Sequence, residues 1–302
     1  MNHVKEVNMH PFTDYYKNSY STATSFEEMF DASIFYLNTS GTKHWNDIFY
    51  KALQRFLCAK DIVNSAEVDL KYLHENVDSK YFTFNTLGEQ NNSRPIISDV
   101  GFDFLKFEND LYLKFMKWIR LNVIKENFYF QKTPTIRFHI PGVQRKLTLP
   151  AWHSDSFLGH SPKEINFWFG LTDNKYSDFW VHNLEDSRQW FSEYNYDIEV
   201  WKDKCFSEDK EFMSRGFDKS FEVKDIYNNI AIFDSRCIHA ANYRSIRDFT
   251  TKITMDLRII LVKDFEWLVI DGTPVFKGDG IKRAEFRPGS EFGYDARTVE
   301  EL

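Results

Sequence analysis

The sequence predicts a mainly β fold with flanking α-helices, of the sandwich, jelly-roll or barrel type, and three observations carry that expectation. Aromatic residues are 18% of 302 positions (30 Phe, 15 Tyr, 8 Trp), which suits a β-rich interior better than a lean helical bundle. From about residue 128 the hydrophobic pattern breaks into short β-type runs. Helical periodicity, by contrast, is concentrated before that point.

In chain order, Trp45, Ile48, Phe49, Leu53, Phe56 and Leu57 recur at three- and four-residue intervals. That spacing predicts an amphipathic helix over Trp45–Val63, with Asn46 or Asp47 as its cap. A second helix is expected from Phe104 to Lys125, and Gly88–Pro95 reads as a loop. Strands follow at Thr135–Ile140, Ile165–Thr172, Asp178–His182, Asn229–Asp234, Lys252–Val262 and Trp267–Ile270. The polar, Trp-containing segment Asp186–Ser220 suits a lid or insertion, or equally a plain surface helix. No Pro/Gly/Ser linker divides the chain. A single domain over 1–302 is expected: residues 1–130 mainly helical, 131–265 the β core and 266–302 a C-terminal extension.

Lys and Arg number 38 against 45 Asp and Glu, a net charge of −7, which opposes binding to phosphate polymers or anionic lipid. Three distant cysteines, Cys58, Cys205 and Cys237, form neither a disulfide framework nor a zinc knuckle and suggest a reducing compartment. The first residues lack an apolar signal core, and no stretch approaches about 18 apolar residues. A cytoplasmic protein with neither nucleic-acid nor membrane partners is expected.

Alternation along Lys252–Ile259 puts Lys252, Thr254, Asp256 and Arg258 on one face and Ile253, Met255, Leu257 and Ile259 on the other. Arg137 and His139 alternate in the same way with Ile136 and Phe138. The charged faces point either to solvent or into a polar lumen.

His153-Ser154-Asp155 is the only His-x-acid triplet in the chain. In an extended segment its outer residues project to one side, so both can reach one ion. His239, following the apolar strand Asn229–Phe233, is the best third ligand. Two imidazoles and one carboxylate with open positions make the facial arrangement of non-haem Fe(II) oxygenases.

The order His153-x-Asp155, then His239, then Lys252-x-Thr254-x-Asp256-x-Arg258 resembles the Fe(II)/2-oxoglutarate-dependent oxygenases of the phytanoyl-CoA dioxygenase-like group. The run Trp152–Trp168 is similar to the streptomycin-biosynthesis type within it, and the resemblance spans roughly residues 130–265. It implies a double-stranded β-helix (jelly-roll or cupin-like) core with N-terminal helices. It also implies Fe(II), 2-oxoglutarate as cosubstrate and O2, and hydroxylation of a small polar metabolite or natural-product intermediate. Desaturation, cyclisation or epimerisation, and a cupin-like metal protein without oxygenase activity, are the alternatives. In such oxygenases a basic residue after the second His anchors the cosubstrate's distal carboxylate, commonly the Arg of an Arg-x-Ser motif. The matching triplet here is Lys252-Ile253-Thr254, and Arg258 on the same face is an equal alternative, with Arg137 next. Lys neutralises a carboxylate but lacks the bidentate fork of Arg. Asn166 and Trp168 share the polar side of their strand and suit cosubstrate or substrate contact as well as packing. His160 reads as a turn residue, and Trp180 and Trp190 as either a substrate wall or core.

Overall fold

A computed structural model of the chain describes residues 13–38, 44–82, 97–141, 151–158, 160–241, 249–265, 269–270, 273–274, 294–295 and 297–302. The loop expected at Gly88–Pro95 and most of the C-terminal extension lie outside these residues.

Two short helices, α1 (Thr13–Ser21) and α2 (Ser25–Phe30), lead to a strand that sequence reading missed, β1 (Ile34–Asn38). Then come α3 (Trp45–Ala59), α4 (Leu73–Asn76), α5 (Ile97–Phe107) and α6 (Asn109–Asn122). His44, not Asn46 or Asp47, caps α3 by accepting from the Asp47 amide, while Asn46 is buried and donates to the carbonyls of Gly170 and Ile226. The single helix expected over 104–125 is two, broken at Glu108 (φ −98°, ψ 32°). The break lets α5 lie close against the sheet: a Cβ on Gly101 would stand 3.2 Å from Ile136 Cβ. It also turns Phe107 outward, 68% exposed.

The β part comprises β2 (Phe128–Phe130), β3 (Thr135–His139), β4 (Ile165–Gly170), β5 (Phe179–Val181), β6 (Phe221–Glu222), β7 (Asn229–Asp234), β8 (His239–Ala241) and β9 (Lys252–Leu261). Five of these begin within a residue of the predicted strands. The predicted Trp267–Ile270 is described only at Val269–Ile270, which pairs with Thr273–Pro274.

Six strands form one antiparallel sheet in the order β1-β7-β4-β9-β2, with β3 also pairing β9. A second, three-stranded sheet runs β6-β5-β8. Alternation gives the large sheet two different faces. Ile165, Phe167, Phe169, Ile253, Met255, Leu257 and Ile259 are buried with Phe49, Leu53, Phe104 and Phe115 of the helices. The opposite face carries Asn166, Trp168, Asp256 and Arg258, with Asn166 facing Arg258 and Trp168 facing Asp256 across β4 and β9. That polar face turns inward, onto a pocket that the small sheet closes from the other side.

The segment expected to be a lid or a single surface helix is three helices, α7 (Leu184–Ser192), α8 (Ile198–Phe206) and α9 (Lys210–Asp218). They bury Trp190, Trp201 and Phe212 in a second aromatic core with Trp152 and Phe157. None of their residues lines the pocket, because the aromatic face that could have served as a wall is used in packing. Among the described residues no helix is long and apolar enough to cross a membrane.

Candidate metal centre

The site is built on a two-residue backbone pairing. The His153 amide donates to the His239 carbonyl at 3.0 Å and the His239 amide returns a bond to the His153 carbonyl at 2.8 Å, an isolated antiparallel bridge. The Asp155 amide extends the pairing to the Ser235 carbonyl at 3.1 Å. His239 therefore does not ride at the end of the apolar β7 but opens β8, after the turn at residues 235–238. Asp155, expected on an extended segment, begins a 3-10 turn over Asp155–Leu158. Buried Trp152 and Phe157 flank the triplet and fix this turn in the second core, the Phe157 ring lying tilted against Phe191 with centroids 4.4 Å apart.

All three side chains are buried, and one ligand atom from each of His153, Asp155 and His239 lies within 4.8 Å of the others. His239 Nδ1 donates to the Cys237 carbonyl at 2.9 Å, which leaves the Nε2 lone pair as the ligand atom, 3.9 Å from Asp155 Oδ1. Burial holds the His239 imidazole below its ordinary value, against the opposing pull of Asp155, so the ring is neutral as a metal ligand must be. Burial alone would raise the Asp155 carboxyl. The Arg258 guanidinium foremost holds it far below the usual carboxylate range. Two imidazoles and one ionised carboxylate on one side of a pocket fit a divalent iron.

The pocket measures about 270 Å³, slightly below the ~300–1,000 Å³ usual for small-molecule sites. Most predicted residues meet in it: Arg137, Asn166, Trp168, Lys252 and Arg258 line it with His153, Asp155 and His239. Their partners differ from expectation. Arg258 donates to Asp155 Oδ2 from Nε at 3.0 Å and lies 3.0 Å from it through Nη2. Asn166 Nδ2 donates to the same oxygen at 2.7 Å. Arg137 Nε pairs with Asp256 Oδ2 at 2.5 Å. Lys252 holds the Ser177 carbonyl and Asp178 Oδ2, the latter at 3.2 Å. Thr254, predicted on the same strand face, does not line the pocket; it is fully buried, and its hydroxyl has no hydrogen-bond partner. Trp168 stacks on Phe179 with centroids 4.3 Å apart, forming an apolar wall.

Sequence reading missed several participants. His160 lines the pocket and pairs through Nδ1 with the buried Glu164 at 2.9 Å; the His-x3-Glu spacing was the available signal. Glu164 also accepts from the Tyr294 hydroxyl, a contact from the far C-terminal part that no local pattern announces. Arg236, fully buried, binds Asp234 Oδ2 at 2.8 Å and Glu27 Oε2 at 2.7 Å, tying the turn before His239 to α2. Trp180 and Trp190 do not line the pocket; Trp180 meets Phe217 edge-on and Trp190 is buried in the second core.

No family model matches the chain. Over 44 residues, 15% of its length, it is 39% identical to the streptomycin biosynthesis protein StrG of Streptomyces griseus, and the match spans 21% of that protein. Its fold is similar to EctD from S. alaskensis with bound Fe, at 10% identity and a TM-score of 0.41 over 85% of this chain and 86% of that one. It is also similar to the non-haem α-ketoglutarate-dependent epimerase SnoN from nogalamycin biosynthesis, at 10% identity and a TM-score of 0.43 over 92% and 98% of the two chains. The corresponding figures for the non-haem α-ketoglutarate-dependent carbocyclase SnoK are 10%, 0.36, 80% and 85%.

Proposed function

We propose that the chain is a non-haem Fe(II)/2-oxoglutarate-dependent oxygenase that hydroxylates a C–H bond of a small polar metabolite. The observation that carries this reading is the convergence of His153, Asp155 and His239 on one buried point of a pocket. These three residues would hold the iron. The chemistry supplied when iron and cosubstrate are bound is oxidative decarboxylation of 2-oxoglutarate by O2 to succinate and CO2, coupled to oxygen transfer to carbon. Hydroxylation is the outcome that needs no further protein group.

The protein's own residues divide the remaining work. Lys252 and Thr254 are the proposed anchor for the distal carboxylate of 2-oxoglutarate: a cation, and a buried hydroxyl whose missing partner such a carboxylate would supply. Arg258 suits that role less, because it already grips the ligand carboxylate. Six residues further along a strand at about 3.4 Å each, its Cα lies roughly 20 Å from that of Lys252. Trp168 and Phe179 form a dry wall, and Arg137 with Asp256 presents a polar pair for substrate groups. A pocket of about 270 Å³ suits a metabolite, not a polymer.

The test is anaerobic loading with Fe(II) followed by 2-oxoglutarate. A visible charge-transfer band, then iron-dependent succinate formation on admitting O2, is expected. Iron binding with neither response would instead identify a cupin-like metal protein without oxygenase activity.

A further inference from the structure

The two oxygens of Asp155 stand in different surroundings. Oδ2 accepts from Asn166 Nδ2 at 2.7 Å and from Arg258 Nε at 3.0 Å, with Arg258 Nη2 also at 3.0 Å. Oδ1 faces His239 Nε2 at 3.9 Å, on the side where the ligand atoms converge. Because an ionised carboxylate can only accept, the Asn166 amide must present its NH2 to Asp155. Asn166 and Arg258 are directly opposed across β4 and β9, so the clamp is built into the register of two central strands. Asn166 is 3% exposed and the Arg258 side chain 12%, which shields both contacts from competing water.

We infer that Asn166 and Arg258 are positioning residues that hold Asp155 Oδ2 away from the metal, so that Asp155 binds through Oδ1 alone. The inference rests on the metal centre proposed above. A carboxylate that binds through both oxygens takes an extra coordination position, and a chelating keto acid together with O2 needs every position the three protein ligands leave open. Partners that orient a ligand in this way commonly govern metal affinity as well as geometry. Releasing Oδ2 should therefore alter the metal site while leaving all three ligands in place.

The probe is Co(II), titrated into metal-free protein and read by its visible d–d absorption. Wild type should bind one equivalent, a site that His239→Ala removes. Asn166→Ala and Arg258→Gln should still bind, with affinity about 10- to 100-fold lower and a changed band pattern, and Arg258→Lys should fall between them and wild type. Thermal melts check folding, and if Arg258→Gln does not fold, Asn166→Ala decides alone. Wild-type affinity and an unchanged spectrum in the folded variants would overturn the clamp. Failure of wild-type protein to bind Co(II), or equal binding by His239→Ala, would overturn the metal centre itself.

Discussion

His153 and His239 exchange both of their backbone hydrogen bonds, at 3.0 and 2.8 Å, and their ring centroids lie 4.6 Å apart. In an antiparallel ladder, residues paired in this way project their side chains to one face. Two of the three proposed ligands are therefore brought together by main-chain pairing, before any side chain packs. Asp155, two positions on, inherits its place from the same ladder through its amide bond to Ser235.

The first prediction follows from that division. His239→Ala should abolish Fe(II) binding and succinate formation while leaving the melting temperature near wild type, since the bridge needs only the backbone. Asp155→Ala should do the same to activity but also lower stability, because it strips the buried Arg258 of its main counter-charge. Iron titration and a thermal melt on each variant check both halves. Near-normal turnover by either variant would show that the ligand assignment is wrong.

A second prediction concerns the turn that delivers His239. Arg236 is fully buried and spends its donors on Asp234, Glu27 and the carbonyls of Ser19 and Thr22, each bond between 2.7 and 2.9 Å. Arg236→Met leaves Asp234 charged and unpaired in the interior, a loss of about 3–5 kcal/mol. Denaturant unfolding should show it, and adding Asp234→Asn should recover a large part. If Arg236→Met unfolds like wild type, the ion pairs do not hold the turn.

Much of this was legible in the sequence because strand alternation is a strict rule: β9 runs Lys252–Leu261 against an expected Lys252–Val262, and its two faces are the predicted ones. The meeting of His153, Asp155 and His239 was legible for a similar reason, through spacing and the run leading to His239. Partnerships were not. Nothing local says that Arg258 turns to Asp155 or that Lys252 faces Asp178, since those pairs are made across 103 and 74 positions. The break at Glu108 was equally hidden, because both halves continue the same hydrophobic period. Trp190 looked like a possible wall because composition cannot tell an aromatic lining from an aromatic core.

A third prediction uses a group outside the site. His182 is fully buried between Trp152 and Trp190, donates Nε2 to the Gly216 carbonyl at 2.8 Å, and is pushed down to about 4 by burial foremost. Its pKa is lower folded than unfolded, so between pH 6.5 and 4 the unfolded chain binds more protons and stability must rise with pH. The contribution is fully present above pH 6.5 and lost progressively towards pH 4, about 3 kcal/mol in all. Unfolding free energies measured across that window should show the slope, and His182→Gln should flatten it. An unchanged slope in a folded His182→Gln would mean that other groups carry the acid sensitivity.

The last prediction separates the cosubstrate anchor from simple structure. Lys252 is 2% exposed and paired with Asp178, itself fully buried and held in the left-handed region at φ 52°. Removing the lysine alone therefore strands a buried carboxylate on a strained backbone, and a loss of activity could reflect damage only. The informative variant is Lys252→Met combined with Asp178→Asn, which removes both charges together. If Lys252 anchors 2-oxoglutarate, the double variant should fold and bind Fe(II) normally while the KM for 2-oxoglutarate rises on the order of a hundredfold or more, the scale of an unpaired buried carboxylate. Thr254→Val should raise KM by a smaller factor, about tenfold, the loss of one hydrogen bond to a charged group. Arg258→Gln should act chiefly on metal affinity. A double variant with wild-type KM would remove Lys252 from the site, and a KM effect confined to Arg137→Ala would move the anchor to β3.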